Sequence, residues 1–338
     1  MLHIGVDFHK HFSRVVTLDD AGSVVDRQTL RHDDRAGMVE YFRGKAGTAT
    51  ATVEAVRGWY WLGELLADVG VEMKLAHPRK VRLIAESTIK TDTVDAGTLA
   101  QLERTGFLPE AYIPSREVRD SRELLRYRMT LVRIRTGLKN RVHAVVDKLG
   151  ISHPFSDLFG LAGRKFLRSL KLRPVYQQQL DNYLGLLEEV ERRLKAVTLE
   201  IRAMVRPDPR AELLMTIPGV GHITAYLLLW EIGDIGRFLS AKKLCAYAGL
   251  VPVTRQSADH CWQGRITKEG NRYLRWGMVE AACKAPSKDW GLAQYFHRVA
   301  ARRGPLKARV AVARKLLVAV WHVWTDGQPY RLTRPDVT

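Results

Sequence analysis

Four carboxylates in the first hundred residues stand where acids can gather around a cation. Asp7 follows the apolar run of residues 2–6, in Gly5-Val6-Asp7. Glu54 ends a strand-forming run, in Ala51-Thr52-Val53-Glu54-Ala55. Asp92 and Asp95 fall in Lys90-Thr91-Asp92-Thr93-Val94-Asp95-Ala96, three apart, so both can face one way at a helix start. Four such groups in one place repel one another, and a hard divalent cation relieves that repulsion through oxygen ligands. Two such ions roughly 4 Å apart stabilise both the attacking and the leaving oxygen of a phosphoryl transfer. Singly, each acid has an ordinary use: Asp7 in a turn, Glu54 as a surface charge, Asp92 as a helix cap. Glu54 fits the ordinary use least, because it follows a run that should be buried.

The elements needed to bring these acids together are legible. Residues 2–6, 13–18, 23–30, 50–55 and 71–76 read as strands, with the turn Asp19-Asp20-Ala21-Gly22 joining the second and third as a hairpin. Residues 36–43, 59–69 and 93–104 read as helices. Three leading strands and then helix–strand alternation describe an α/β, ribonuclease-H-like layer. In such a sheet the first and fourth strands lie side by side, and the helix at 93–104 can carry Asp92 and Asp95 against their ends.

Pro114-Ser115 reads as a break, with Ser115 as a helix cap. Residues 116–149 then form a helical tract with ten Lys/Arg and four Asp/Glu. Arg119, Arg122 and Arg126 share one face of it, and Arg128, Arg135 and Lys139 another, so we expect a polyanion-facing helix. Leu180, Tyr183, Leu187, Val190, Leu194, Val197, Ile201 and Met204 step by three and four, a heptad seam for a coiled coil or a long helical hairpin, within one chain or between two. Pro207 and Pro209 end it. From Ala211 a second, basic and mostly helical unit begins, opened by Ile217-Pro218-Gly219-Val220-Gly221. That turn either offers backbone N–H groups to a phosphate or simply joins two helices. The expected divisions are therefore 1–110, 111–208 and 209–338.

The bulk numbers agree with a polyanion partner. Over 338 residues, 54 Lys+Arg against 36 Asp+Glu leave a net charge of +18. The three cysteines, Cys245, Cys261 and Cys283, have neither metal-site nor disulfide spacing, which fits a reducing cytoplasm. The N-terminus lacks the apolar run of a signal peptide, and no run is long enough to span a membrane. The expected place is the cytoplasm, on the nucleoid. His9 and His11, flanking the first acid, read as surface residues. Trp59, Trp61, Trp276 and Trp290 suit a core or base stacking equally. Arg302, Arg303, Lys307, Arg309, Arg314 and Lys315 form a basic tail.

The acid-bearing segments resemble those of the DEDD transposases of insertion-sequence family one-ten. The second half is similar too, in Ile217-Pro218-Gly219-Val220-Gly221, in Phe238-Leu239-Ser240-Ala241-Lys242-Lys243-Leu244, in Ala246-Tyr247-Ala248-Gly249-Leu250-Val251-Pro252 and in the run from Gly264 to Arg275. The resemblance covers nearly the whole chain. It implies a RuvC-like nuclease domain, a coiled-coil segment and a mostly α-helical C-terminal transposase domain. It implies Mg²⁺ or Mn²⁺ at Asp7, Glu54, Asp92 and Asp95. It implies a catalytic serine in the loop after Gly249-Leu250-Val251-Pro252, at Ser257, where Ala258 stands in place of the glycine frequent in relatives. A hydroxyl attacking a DNA phosphate conserves the bond energy for rejoining, but it needs activation. We therefore expect a composite site, in which Ser257 of one subunit can face the acids of another. Arg255, Arg265, Lys268, Arg272 and Arg275 surround the serine and suit a nearby phosphate. The resemblance further implies double-stranded donor and target DNA, a structured noncoding RNA that pairs with both, and a homodimer or dimer of dimers. Two other readings compete: a metal-dependent junction-resolving nuclease, and a non-catalytic nucleic-acid-binding regulator.

Overall fold

The computed structural model describes residues 1–56, 58–84, 92–257 and 260–333, with 92, 93, 255–257, 260, 261 and 263 described through the backbone alone. They form two compact units, Met1–Pro114 and Ser115–Thr338.

In the first unit, alternating burial along the chain yields β1 (Leu2–Phe8), β2 (Phe12–Leu18) and β3 (Val24–Arg31). Then come α1 (Arg35–Arg43), β4 (Ala49–Glu54), α2 (Trp59–Asp68) and β5 (Glu72–Ala76). Asp34 starts α1 by accepting a hydrogen bond from Gly37 N–H at 2.9 Å. The helices α3 (Pro78–Ile84) and α4 (Asp92–Arg104) and the short β6 (Glu110–Ala111) complete the unit. The strands form one sheet in the order β3-β2-β1-β4-β5-β6. β1 is antiparallel to β2 and parallel to β4, the adjacency expected of the first and fourth strands. Two details differ from the sequence reading. β1 runs on to Phe8, so Asp7 sits within the strand rather than after it. β6 pairs with β5 through Leu75 and Ala111, which draws residues beyond 110 into this unit.

The two faces of the sheet are unlike. Ile4, Val6, Ala51, Val53 and Leu75 point to one side and pack with Met38 and Phe42 of α1 and Leu62 and Leu66 of α2. On the other side α4 lies on the sheet, touching Val16 and Leu18 of β2 through Ala96 and Ala100. Gly5 is the reason α4 can lie there. A Cβ built on it would fall inside the Ala96 carbonyl group and within 2.7 Å of the Ala100 nitrogen. The helix backbone rests on the strand backbone, with small residues on both sides.

The second unit starts with Ser115, whose hydroxyl accepts from Val118 N–H at 3.3 Å and caps α5 (Arg116–Lys148). α6 (Leu161–Ser169) and α7 (Pro174–Val205) follow, and α7 packs along α5 of the same chain as a helical hairpin. Its buried seam is Leu180, Leu184, Leu187, Leu194, Val197, Ile201 and Val205. At both ends it drifts from the expected heptad, Leu184 replacing Tyr183 and Val205 replacing Met204. A straight helix turns every 3.6 residues, so a strict 3.5 repeat slips off the contact line.

Next come α8 (Pro209–Met215), α9 (His222–Ile232), α10 (Ala241–Tyr247), the ribbon of β7 (Pro252–Ser257) and β8 (His260–Ile266), α11 (Arg272–Lys284), α12 (Trp290–Arg303) and α13 (Pro305–Asp326). Leu125 and Leu131 of α5 and Leu194 to Val205 of α7 share one core with α8, α9, α11 and α13. The hairpin is therefore not a unit of its own ending at 208. Its far end has a separate cluster, with Leu138, Val142, Phe159, Leu167, Leu180 and Leu187. Between α8 and α9, Val220 N–H donates to the Ile217 carbonyl at 3.0 Å across Pro218-Gly219. Gly219 has φ +83, as position three of a type II turn requires, and a Cβ there would strike the Ala281 carbonyl of α11. This turn faces inward onto α11 and joins two helices.

Substituting Gly5→Val should destabilise the protein by about 3 kcal/mol, the scale of overpacking a tight interior. Urea unfolding measures it. A variant as stable as wild type would mean that α4 does not rest on β1 as described.

Candidate active site

Asp7 and Glu54 occupy matching places on neighbouring parallel strands. The last paired residues of β1 and β4 are Val6 and Val53, and each acid is the next residue along. Gly5, Thr52 and Lys74 are cross-strand partners in one row, so the row beyond them, Asp7 and Glu54, faces the α4 side of the sheet. The direction of α4 follows from two contacts. His3 at the start of β1 meets Glu103 near the end of α4, and Gly5 meets Ala96 and Ala100. The helix therefore runs opposite to β1, and its first turn, with Asp92 and Asp95, lies toward the strand end that carries Asp7. Asp95 is half-buried there. The Asp92 side chain lies outside the described residues.

His9 Nε2 lies 3.1 Å from Asp7 Oδ2, an ion-pair distance without hydrogen-bond alignment. His9 is therefore a partner of the first acid rather than a plain surface residue. Among the described residues, no group of three acidic, histidine or cysteine side chains is close enough to hold a metal ion. Asp7, Glu54 and Asp95 alone do not close a cation site, and a fit to Mg²⁺ turns on Asp92. The hard oxygen donors of all four are of the right kind.

At the far end of α4 a polar network locks the helix down. Both ring nitrogens of buried His3 face carboxylates, Glu103 and Asp20, and Lys74 adds an ion pair to Glu103 at 3.0 Å. These charges sit at the opposite end of the β1–α4 contact from Asp7 and fix the helix along the strand.

Ser257 is the last residue of β7, at the turn end of a two-stranded ribbon, not in an open loop. Its side chain and that of Arg255 lie outside the described residues. The period-two strands Pro252–Ser257 and His260–Ile266 were hidden by the helical character of their surroundings. The root of the ribbon is built from close backbone approaches. Gly249 (φ +66) leaves no room for a Cβ against the Glu269 backbone, and Gly270 (φ +82) none against the Tyr247 carbonyl. Across that junction Thr267 N–H donates to the Val251 carbonyl at 2.9 Å, and Asn271 N–H to the Tyr247 carbonyl at 2.7 Å. Arg265, Lys268 and Arg272 are exposed around it. Arg275 is different: it donates to the Ala248 carbonyl at 2.9 Å, and burial lowers its pKa from the ordinary guanidinium value. It ties the junction together from inside.

A buried carboxylate that the sequence reading passed over anchors this junction. Glu231 is fully buried on α9. Its Oε2 accepts from Asn271 Nδ2 at 2.7 Å, and Asn271 in turn caps α11 by accepting from Tyr273 and Leu274 N–H groups. Arg122 lies 3.6 Å from the carboxylate and Arg126 3.4 Å. Arg122 also donates to the Trp230 and Glu231 carbonyls, at 2.8 and 3.0 Å, where α9 ends. Arg122 is thus buried at the carboxylate, Arg119 is buried on the same face of α5, and Arg126 keeps a quarter of its side chain exposed. The physical reason is charge balance, since a buried carboxylate needs cationic partners. The signal was present: Glu231 is the lone charge in Ile223–Ile232, a stretch apolar all round, and such a helix is buried.

Comparison with known proteins bears on both halves of the chain. Residues 4–151 match a family model for transposases of the DEDD, IS110 kind, and residues 211–297 match one described as the transposase IS116/IS110/IS902 family. A "probable family 20 transposase" of Pseudomonas aeruginosa is 26% identical, over 97% of this chain and 98% of its own. The transposase for insertion sequence element IS1328 of Yersinia enterocolitica is also 26% identical, over 96% of this chain and 97% of its own. The transposase for insertion sequence element IS1111A of Coxiella burnetii is 24% identical, over 97% of this chain and 91% of its own.

Replacing Arg122 by Met should cost about 3–5 kcal/mol in a denaturant titration, because it removes one cationic partner of a buried carboxylate. A loss within the range of a surface substitution, roughly 0.5 kcal/mol, would show that Glu231 does not depend on it.

Proposed function

The chain belongs to the IS116/IS110/IS902 family of transposases, and from that premise we propose that it cuts and rejoins DNA through Asp7, Glu54, Asp92 and Asp95 together with Ser257. The observation that carries the reading is the position of Asp7 and Glu54 at the matching ends of adjacent parallel strands, with the first turn of α4 directed to the same end. Carboxylates on strand ends are poorly explained as stabilising groups, because neighbouring anions raise each other's free energy. A Mg²⁺ or Mn²⁺ ion bound by the four acids would supply charge stabilisation for the attacking and leaving oxygens.

The residues of the chain have separate tasks in this reading. The acids bind and orient. The Ser257 hydroxyl forms a new phosphorus–oxygen bond as the bond to the departing deoxyribose oxygen breaks, and the serine proton ends on that oxygen. The phosphoserine ester keeps one high-energy linkage for the reverse step, in which a DNA hydroxyl displaces the serine. Arg265, Lys268 and Arg272, exposed at the ribbon root, grip the DNA backbone. Arg275, Arg119 and Arg122 are not part of that grip, being engaged inside the fold. We read the first unit as RuvC-like and the α5–α7 hairpin as a coiled coil that serves a homodimer. We read a structured noncoding RNA as the group that selects the DNA sequence. The family resemblance and the net charge of +18 support that partner. Among the described residues, no helix is long and apolar enough to cross a membrane.

Each of Asp7→Asn, Glu54→Gln, Asp92→Asn and Asp95→Asn should lower cation-dependent strand cleavage by about a hundredfold or more, beyond the loss of an outer-shell partner. Ser257→Ala should abolish the covalent protein–DNA adduct on a denaturing gel. Cleavage by Ser257→Ala at the wild-type rate would instead identify a junction-resolving nuclease. DNA binding without any cleavage, with or without a divalent cation, would identify a regulator and sink the enzymatic reading.

A further inference from the structure

On the helical hairpin Arg128 has Arg135 on one side and Arg202 on the other, and among the described residues none of the three pairs with a carboxylate. Arg128 and Arg135 are two turns apart on α5, on one face, and both are half-buried. Arg128 Nε–H donates to Thr198 Oγ1 of α7 at 3.0 Å, which brings it across to the second helix. Arg202 stands one turn on from Thr198, on the same side of α7. Arg135 Nε is buried without a hydrogen-bond partner. Among the described residues, no carboxylate lies within ion-pair distance of Arg128, Arg135 or Arg202. Of the acids on α7, Glu191 pairs with Arg164 at 2.6 Å, Glu189 with Arg192 and Arg193, Glu188 with Arg168, and Asp181 accepts from Gln177, while Glu200 is exposed and is not paired with any of the three arginines.

This arrangement is costly in isolation. Burial, and after it the charges of Arg135 and Arg202, push the Arg128 guanidinium below its ordinary pKa. Elsewhere in the same unit the chain handles a half-buried guanidinium otherwise: Arg126 and Arg164 have carboxylates, and Arg237 lies over the rings of Phe238 and Tyr247. Like charges held together across two packed helices, one of them with an unspent donor, form a socket for an anion from outside. Guanidinium forks suit phosphate oxygens, and spacing along a helical groove suits a chain of phosphates rather than one.

We infer that the groove between α5 and α7 at Arg128, Arg135, Thr198 and Arg202 binds the phosphodiester backbone of double-stranded DNA. DNA is the source favoured here because the chain is a transposase. The inference rests on that reading only for the identity of the polyanion, and the socket requires no chemistry at the acids or at Ser257.

The test is binding of the full-length protein to mixed-sequence duplex DNA across a salt series, for wild type, Arg135→Gln and the double variant Arg128→Gln/Arg135→Gln. Each lost contact should make the slope of log affinity against log salt shallower by about one, and should weaken binding by about threefold or more at low salt. Thermal unfolding without DNA should be unchanged or improved, because a repulsion has been removed. If a glutamine variant fails to fold, Arg135→Lys keeps the charge and should keep the wild-type slope. Folded glutamine variants with wild-type affinity and slope would overturn the inference. So would a defect seen only with a structured RNA probe, which would assign the socket to RNA. Loss of cleavage in the acid variants is scored separately, so failure here leaves the proposed activity standing, and the reverse.

Discussion

The approach of α4 to β1 is limited by a single missing side chain. Without a Cβ at Gly5 the helix backbone touches the strand backbone, and Ala96 and Ala100 keep the contact flat. A helix on larger side chains would stand off the sheet at the usual inter-layer spacing, roughly 10 Å, and its first turn would clear the strand ends. The short distance draws the Asp92–Asp95 turn down toward Asp7 and Glu54. The His3, Glu103 and Lys74 network does complementary work, stopping the helix from sliding along the strand. Position is thus set by sterics at one point and by charge at another, both remote from the acids they serve.

The second unit uses charge in two opposite ways. Around Glu231 the cations are turned inward and consumed, and their product is a rigid junction between α5, α9 and the start of α11. Along the α5–α7 groove Arg128 and Arg135, among the described residues, have no carboxylate within ion-pair reach. The same helix supplies both sets, Arg122 and Arg126 for the first and Arg128 and Arg135 for the second. Rotation about the helix decides which is which. A positive total charge therefore says little about where a polyanion lies, and the carboxylate inventory of the facing helices says much more.

Much of the first unit could be read directly. Apolar alternation located five strands, and the β1–β4 adjacency followed from the expected topology. Asp7 and Glu54 could be singled out because strand ends are unusual places for carboxylates. What the sequence hid was mostly three-dimensional. The inward turn of Arg122 goes with Glu231, more than a hundred residues away, and no local pattern couples them. The β7–β8 ribbon is a short two-stranded element whose alternation is interrupted by Gly264 and surrounded by helices. Near residue 208 the α7 stripe continues onto the core of the following helices instead of closing on α5 alone, a packing that no local pattern announces. The helix α3 was missed because Pro78-Arg79-Lys80-Val81-Arg82 carries one apolar residue and no periodic stripe.

The hairpin spans two cores along one pair of helices. α5 has 33 residues, or about 50 Å of axis, and its near end belongs to the main core of the unit while its far end closes over α6 in a cluster of its own. Helices of this kind do not melt as one piece. The distal cluster is small enough to open while the proximal turns stay protected, giving two cooperative blocks on a continuous backbone. Amide exchange along α5 and α7 should therefore be graded, fast at the tip and slow at the base, and the hairpin can flex at its outer end without disturbing the junction that holds the serine ribbon.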